Sequence, residues 1–207
     1  GSPTGSEEAS TENSEESSTE DETEIGETET DKEIALLSLE DGKITPDMSQ
    51  KDIQDVFDAK DEVTFAAGAY EGVSITVNKN VTIHAEGPLE FTGNGKSGEG
   101  QSHYPFLIGN GAAVTFENVT LQSSNYDGFM NISGGTVVLN GGNFDVTGLG
   151  HGCVFFSGSN PGNLTIQNTV YTSNGNGGDS MVSYASGAVS IKFINSNTDL
   201  SNNTASG

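Results

Sequence analysis

The chain has 207 residues and a formal charge of −23, with seven basic residues, all lysine, and no arginine. So few cations cannot neutralise many phosphates, which excludes nucleic acid and an anionic membrane surface as partners. The lone Cys153 excludes an intrachain disulfide and a cysteine-built zinc site, and no apolar run approaches the ~18 residues that a membrane-spanning helix needs.

The N-terminal segment is low in complexity. "SEEASTENSEESSTEDETEIGETETDKE" is almost entirely Ser, Thr and Glu, and residues 1–41 hold fifteen carboxylates against one lysine. Such a segment buries too little apolar area to offset its ordering entropy. Residues 1–33 read as a disordered, self-repelling acidic spacer. It resembles the stalks that hold Gram-positive surface proteins away from the cell wall. Residues 34–207 read as one folded domain.

That domain opens with a helix expected around 49–59. Ile53, Val56 and Phe57 fall at i, i+3 and i+4, one face of a short helix. Ser49 is placed to cap it, with Asp52 three residues on as an acidic variant of the capping box. The hydrophobic period then changes to two, in "VTF", "VSITV", "VTIHA" and "LEFTG". Strands separated by Gly, Asn and Ser follow to the end of the chain.

"DIQDVFDAKDEVTFAAGAYEGVSITVNKNVTIHAEG" is similar to the opening segment of right-handed parallel β-helix proteins of the pectate-lyase-like group. The matching pieces are the amphipathic helix Ile53 to Ala59, the short strand Val63 to Phe65, Ala67-Gly68-Ala69-Tyr70, and Val77-Asn78-Lys79 to Ile83. The resemblance covers about 35 residues and implies an all-β solenoid closed at one end by the short helix.

Repetition extends this expectation downstream. "VTFENVTL" begins at Val114, "VVLNGGNF" at Val137, "LTIQNTVY" at Leu164 and "VSIKFINS" at Val189. A period in the twenties with several strands per repeat marks a solenoid, and the lack of intervening helical patterns argues against alternating β and α units. Asn118, Asn140, Asn168 and Asn195 recur between strands. Asparagine tolerates left-handed backbone, and stacked asparagines form ladders along a column.

"GLGHGCVFF" is the stretch most like a catalytic one. Aligning Phe106, Phe129, Cys153 and Met181 in one column places Tyr104, Asp127, His151 and Asp179 in another, two residues earlier on the same face. Met130, Ile132, Val154 and Phe156 then form the core parity, and the His151 column faces outward beside the aromatics; the alternative is the reversed parity, with Phe129, Cys153 and Phe155 in the core. The expected ligand-binding set is Tyr104, Phe106, Tyr126, Asp127, Phe129, His151 and Asp179, with polysaccharide or a surface glycan as partner. Two carboxylates beside His151 favour its protonated form. If the domain is an enzyme, a polysaccharide lyase or glycoside hydrolase, the candidates are Asp127, His151 and Asp179. Those three residues also leave calcium open as a cofactor, although histidine is a poor calcium ligand.

Gly150-His151-Gly152 and Asn197-Thr198-Asp199 resemble short catalytic elements of the polygalacturonases. Their order is reversed here, and the adjacent aspartates and the arginine of that family are missing. The expected function is therefore an extracellular, surface-anchored, polysaccharide-binding or adhesin-like module. The alternatives are the enzyme and a structural stalk that binds nothing.

Overall fold

The structure is a computed structural model that describes residues 28–94, 104–124, 128–146, 154–157, 160, 162–173, 182–183 and 189–201. Two helices come first, α1 (Glu29–Asp41) and α2 (Gln50–Ala59), with the two-residue strand β1 (Lys43–Ile44) between them. Helix α1 straddles the boundary expected between residues 33 and 34. Then come β2 (Glu62–Phe65), β3 (Gly68–Glu71), β4 (Ile75–Val77), β5 (Val81–Ala85), β6 (Leu89–Thr92) and β7 (Phe106–Ile108). The long β8 (Ala113–Ser123) is followed by β9 (Met130–Ile132), the long β10 (Thr136–Asp145), β11 (Val154–Phe156), β12 (Gly162–Gln167) and β13 (Val170–Thr172). The last described strands are β14 (Val182–Ser183), β15 (Val189–Ile194) and β16 (Asn197–Asp199).

The protein is mostly β, and every strand pair among the described residues is parallel. A large sheet has eleven strands, with the central order β1-β2-β5-β8-β10-β12-β15. A smaller sheet runs β14-β11-β9-β7-β4. Both sheets feed one hydrophobic core. The ring of Phe106, on the small sheet, lies 5.2 Å from that of Phe116 on the large one, edge to face.

Alternation decides what enters the core. Val63, Ile83, Phe116, Leu139 and Ile166 occupy one in-register column of the large sheet, and all are buried. Their neighbours Glu62, Thr82, Thr115, Val138 and Thr165 form the next column, on the opposite face. Strands β8 and β10 each bend once. Asn118 makes the first bend with φ of 54°, and Gly141, the next residue but one after Leu139, makes the second with φ of 78°. Asn168 and Asn195 follow with φ of 52° and 49°. Asn140 does not take this backbone. It sits one residue before the bend, paired with Glu117 on β8 and Gln167 on β12.

An amide ladder runs along this corner. Asn195 Nδ2 donates to Asn168 Oδ1 at 3.0 Å, Asn168 Nδ2 to Asn140 Oδ1 at 3.2 Å, and Asn140 Nδ2 to Glu117 Oε2 at 2.8 Å. Gln167 Nε2 also reaches Asn140 Oδ1, at 3.0 Å. Gly141 has no side chain because a Cβ there would lie 2.3 Å from Asn118 Oδ1.

The repeat alignment needs one correction. Leu164 pairs with Ile191, not with Val189. "VSIKFINS" therefore starts two residues before its equivalents, and alternation alone could not detect a shift of two because it preserves the face.

Helix α2 covers the open edge of the small sheet. Its N-cap Ser49 accepts a hydrogen bond from the Asp52 N–H, and Ile53, Val56 and Phe57 are buried. On another face of the helix, Gln50 Nε2 donates to Ser74 O at 2.6 Å and Gln50 Oε1 accepts from Ser74 N at 2.8 Å. Gln54 does the same with Thr76, at 2.9 Å in both directions. A side-chain amide carries the same donor and acceptor as a peptide. Residues i and i+4 of a helix stand ~6 Å apart along its axis, close to the ~6.6 Å between residues i and i+2 of a strand. The two glutamines thus act as a substitute strand along β4.

Candidate functional site

Of the seven residues of the expected ligand face, two lie in the core and four lie outside the described residues. Phe106 and Phe129 are 0% exposed and belong to the core. Their rings lie 5.3 Å apart, edge to face, and both also contact Phe91 and Phe116. The reason is register. Phe106 pairs with Met130, which pairs with Val154, which pairs with Val182. Phe106 therefore shares the inward column of Met130 and Val154 and not the level of Phe129. Phe129 precedes β9, where the strand's alternation does not apply, and turns inward.

Met130, Ile132, Val154 and Phe156 are buried, as the proposed parity requires. Tyr104 is half-buried, and its carbonyl oxygen accepts from Ser74 Oγ at 3.0 Å. Tyr126, Asp127, His151 and Asp179 lie outside the described residues, so the His151 column does too. Among the described residues, no three His, Cys, Asp or Glu side chains converge to hold a metal.

A different site lies on the outer face of the large sheet. Asp61, Glu62, Lys79, Asn80, Thr82 and Thr115 line an open groove of about 710 Å³. Its floor is the outward column in which Glu62 pairs with Thr82 and Thr82 with Thr115. Its wall comes from the turn between β4 and β5, which carries Lys79 and Asn80. Asn80 Oδ1 accepts from the Ala113 N–H at 3.1 Å, which ties this turn to the start of β8. Asp61 stands at the end of the α2–β2 connection, where its carbonyl accepts from the Thr82 N–H at 2.8 Å.

The polar groups of the groove are unequally committed. Lys79 Nζ lies 2.9 Å from Asp61 Oδ1. The carboxylate of Asp61 is 85% exposed, so the pair adds little stability. The Glu62 carboxylate, the Thr82 and Thr115 hydroxyls and Asn80 Nδ2 make no side-chain hydrogen bond among the described residues. Together they offer a charged acceptor, two groups that both donate and accept, and an amide donor. The arrangement suits a ligand rich in hydroxyl groups.

Sequence reasoning overlooked this groove, although its floor is readable. In "VTIHA" and "VTFEN" the polar residue between two core residues marks the outward face, and in "EVTF" Glu62 holds the same face one residue before Val63. The wall is not readable, because it depends on which turn packs beside which strand.

The fold and this groove define a mostly-β protein with parallel sheets and a polar outer face. No family, curated protein or solved structure matches the chain.

Proposed function

We propose that this chain is a right-handed parallel β-helix module, of the pectate-lyase-like kind, that binds polysaccharide outside the cell. Its acidic N-terminal segment serves as the spacer from the surface. In-register parallel stacking, the amide ladder at the bends and the helix over one edge support the solenoid reading. The observation that carries the binding reading is the groove of Asp61, Glu62, Lys79, Asn80, Thr82 and Thr115. It is open, its floor crosses three adjacent strands, and its Glu62, Thr82 and Thr115 side chains make no hydrogen bond among the described residues. An open cleft accepts the middle of a polymer, whereas an enclosed cavity accepts only a small molecule or a chain end.

The test is native affinity electrophoresis of the full 207-residue chain through gels cast with single polysaccharides. Retardation by at least one polysaccharide, relative to a non-binding reference protein, is expected. Unchanged mobility in every gel would leave the structural-stalk reading in its place. Release of reducing ends or unsaturated products from the retarding polysaccharide would move the assignment to the enzyme.

A further inference from the structure

The charge of the groove bears on which polysaccharide it takes. This inference rests on the binding reading above and narrows it. Two carboxylates, Asp61 and Glu62, face the groove against one cation, Lys79, which is already held by Asp61. The column that forms the floor continues through Val138 and Thr165, and its next cation is Lys192, three strands beyond Thr115. At ~4.8 Å per strand that is roughly 14 Å away, beyond a Debye length at physiological salt. Lys60, the residue before Asp61, donates from Nζ to Glu40 O at 2.8 Å, and Lys43 is paired with Glu86 at 2.9 Å. The groove therefore carries a net negative charge, within a chain of −23.

We infer that the groove takes a neutral, hydroxyl-rich glycan and discriminates against uronate polymers. A polyuronate brings one carboxylate with every sugar. Laid along this floor it would set like charges beside Glu62 and Asp61 with no uncommitted cation in the groove to receive them. A neutral sugar meets the same groups favourably. Carboxylate oxygens accept charge-assisted hydrogen bonds from sugar hydroxyls. The Thr82 and Thr115 hydroxyls donate or accept as the ring presents itself. Glu62, Thr82 and Thr115 step along the column at one strand spacing, ~4.8 Å, close to the length of one pyranose unit in an extended chain. The glycan then lies across the strands, along the stacking direction.

The experiment uses the full chain in affinity gels with a neutral set (β-glucan, xylan, galactomannan) and an acidic set (polygalacturonate, alginate), each with and without calcium. Glu62→Gln and Thr115→Tyr are run beside the wild type, with circular dichroism melting as the check on folding. At least one neutral glycan should bind, with the acidic set weaker by about tenfold or more. Thr115→Tyr fills the floor and should weaken neutral binding by about tenfold, and Glu62→Gln by about threefold to tenfold. Polygalacturonate or alginate binding as tightly as the best neutral glycan, with calcium or without, overturns the ligand class. Neutral binding that neither variant changes overturns the groove as the site and leaves glycan binding standing. No binding to any polysaccharide overturns the binding reading itself and this inference with it.

Discussion

Tyr70 shows how much a single buried polar group can organise. Its ring is fully buried, stacked on Phe91 at 5.4 Å and edge-on to Phe65 at 5.1 Å. Its hydroxyl donates to Ala66 O at 2.7 Å and lies 3.1 Å from Ile44 O, tying β1 to the turn after β2. Burial, with lesser contributions from Asp47 and Glu86, pushes its phenol well above the ordinary tyrosine range. The folded state therefore holds this proton longer than the unfolded chain does. The resulting stability is complete below the unfolded value near ~10 and is lost as pH rises beyond it toward the folded value. Tyr70→Phe should cost about 1–3 kcal/mol at neutral pH, because it leaves Ala66 O without its donor, while Ile44 O keeps the Ala66 N–H at 2.8 Å. The variant should also lose part of the wild type's destabilisation above pH ~10. Thermal unfolding from pH 7 to 11 on both proteins measures the two effects. Identical alkaline slopes would mean that another group controls the loss.

At the scale of elements, the covered edge of the small sheet is the most informative. Open strand edges invite pairing with other chains, and β4 is kept from this by two glutamines in place of a strand. Two contributions of α2 can be separated by mutation. Phe57 is buried, with its ring 6.0 Å from Phe65 and 6.3 Å from Phe106, and Phe57→Ala should cost about 3–5 kcal/mol. Gln54→Glu keeps an acceptor for the Thr76 N–H but loses the donor to Thr76 O and to Asp58 Oδ1 and sets a second carboxylate beside Asp58, so it should cost about 1–2 kcal/mol with the core untouched. Chemical denaturation of both variants measures these costs. A silent Gln54→Glu would show that the edge is satisfied by water. The helix itself was legible in Ile53, Val56, Phe57 and Ser49. The role of Gln50 and Gln54 was not, because polar residues on a helix ordinarily face solvent, and only the position of β4 makes them a strand substitute.

Across the whole molecule the two ends of the large sheet differ. The β2 end is covered by β1, whose Lys43 and Ile44 pair with Thr64 and Phe65. At the β15 end, Phe193 continues the column of Val63, Ile83, Phe116, Leu139 and Ile166, yet it is 47% exposed. Ile194 on the same strand and Leu200 after β16 are exposed as well. Lys192 beside Phe193 is the type of charge that discourages edge pairing. The same substitution should therefore have unequal effects within one column. Phe116→Ala should cost about 3–5 kcal/mol, whereas Phe193→Ala should cost less than about 2 kcal/mol, since half of its area is already in water. Equal losses in denaturant unfolding would mean that Phe193 is covered in solution.

The sequence by itself determined the local chemistry: strands from period-two alternation, the helix from its apolar face and cap, and bends at Asn118, Asn168 and Asn195 from their tolerance of positive φ. These are properties of neighbouring residues, so they can be read without coordinates. Only the tertiary structure decided register. Phe106, Leu107 and Ile108 are all apolar, so their alternation points to neither face, and a displacement by one residue carried Phe106 from an expected ligand face into the core. The same holds for the groove. Lys79 and Asn80 belong to one turn, Glu62 and Thr115 to two strands more than fifty residues apart, and nothing local to any of them records that they meet. Parallel pairing brings them together because each strand must set its apolar column in line with that of its neighbour to leave water.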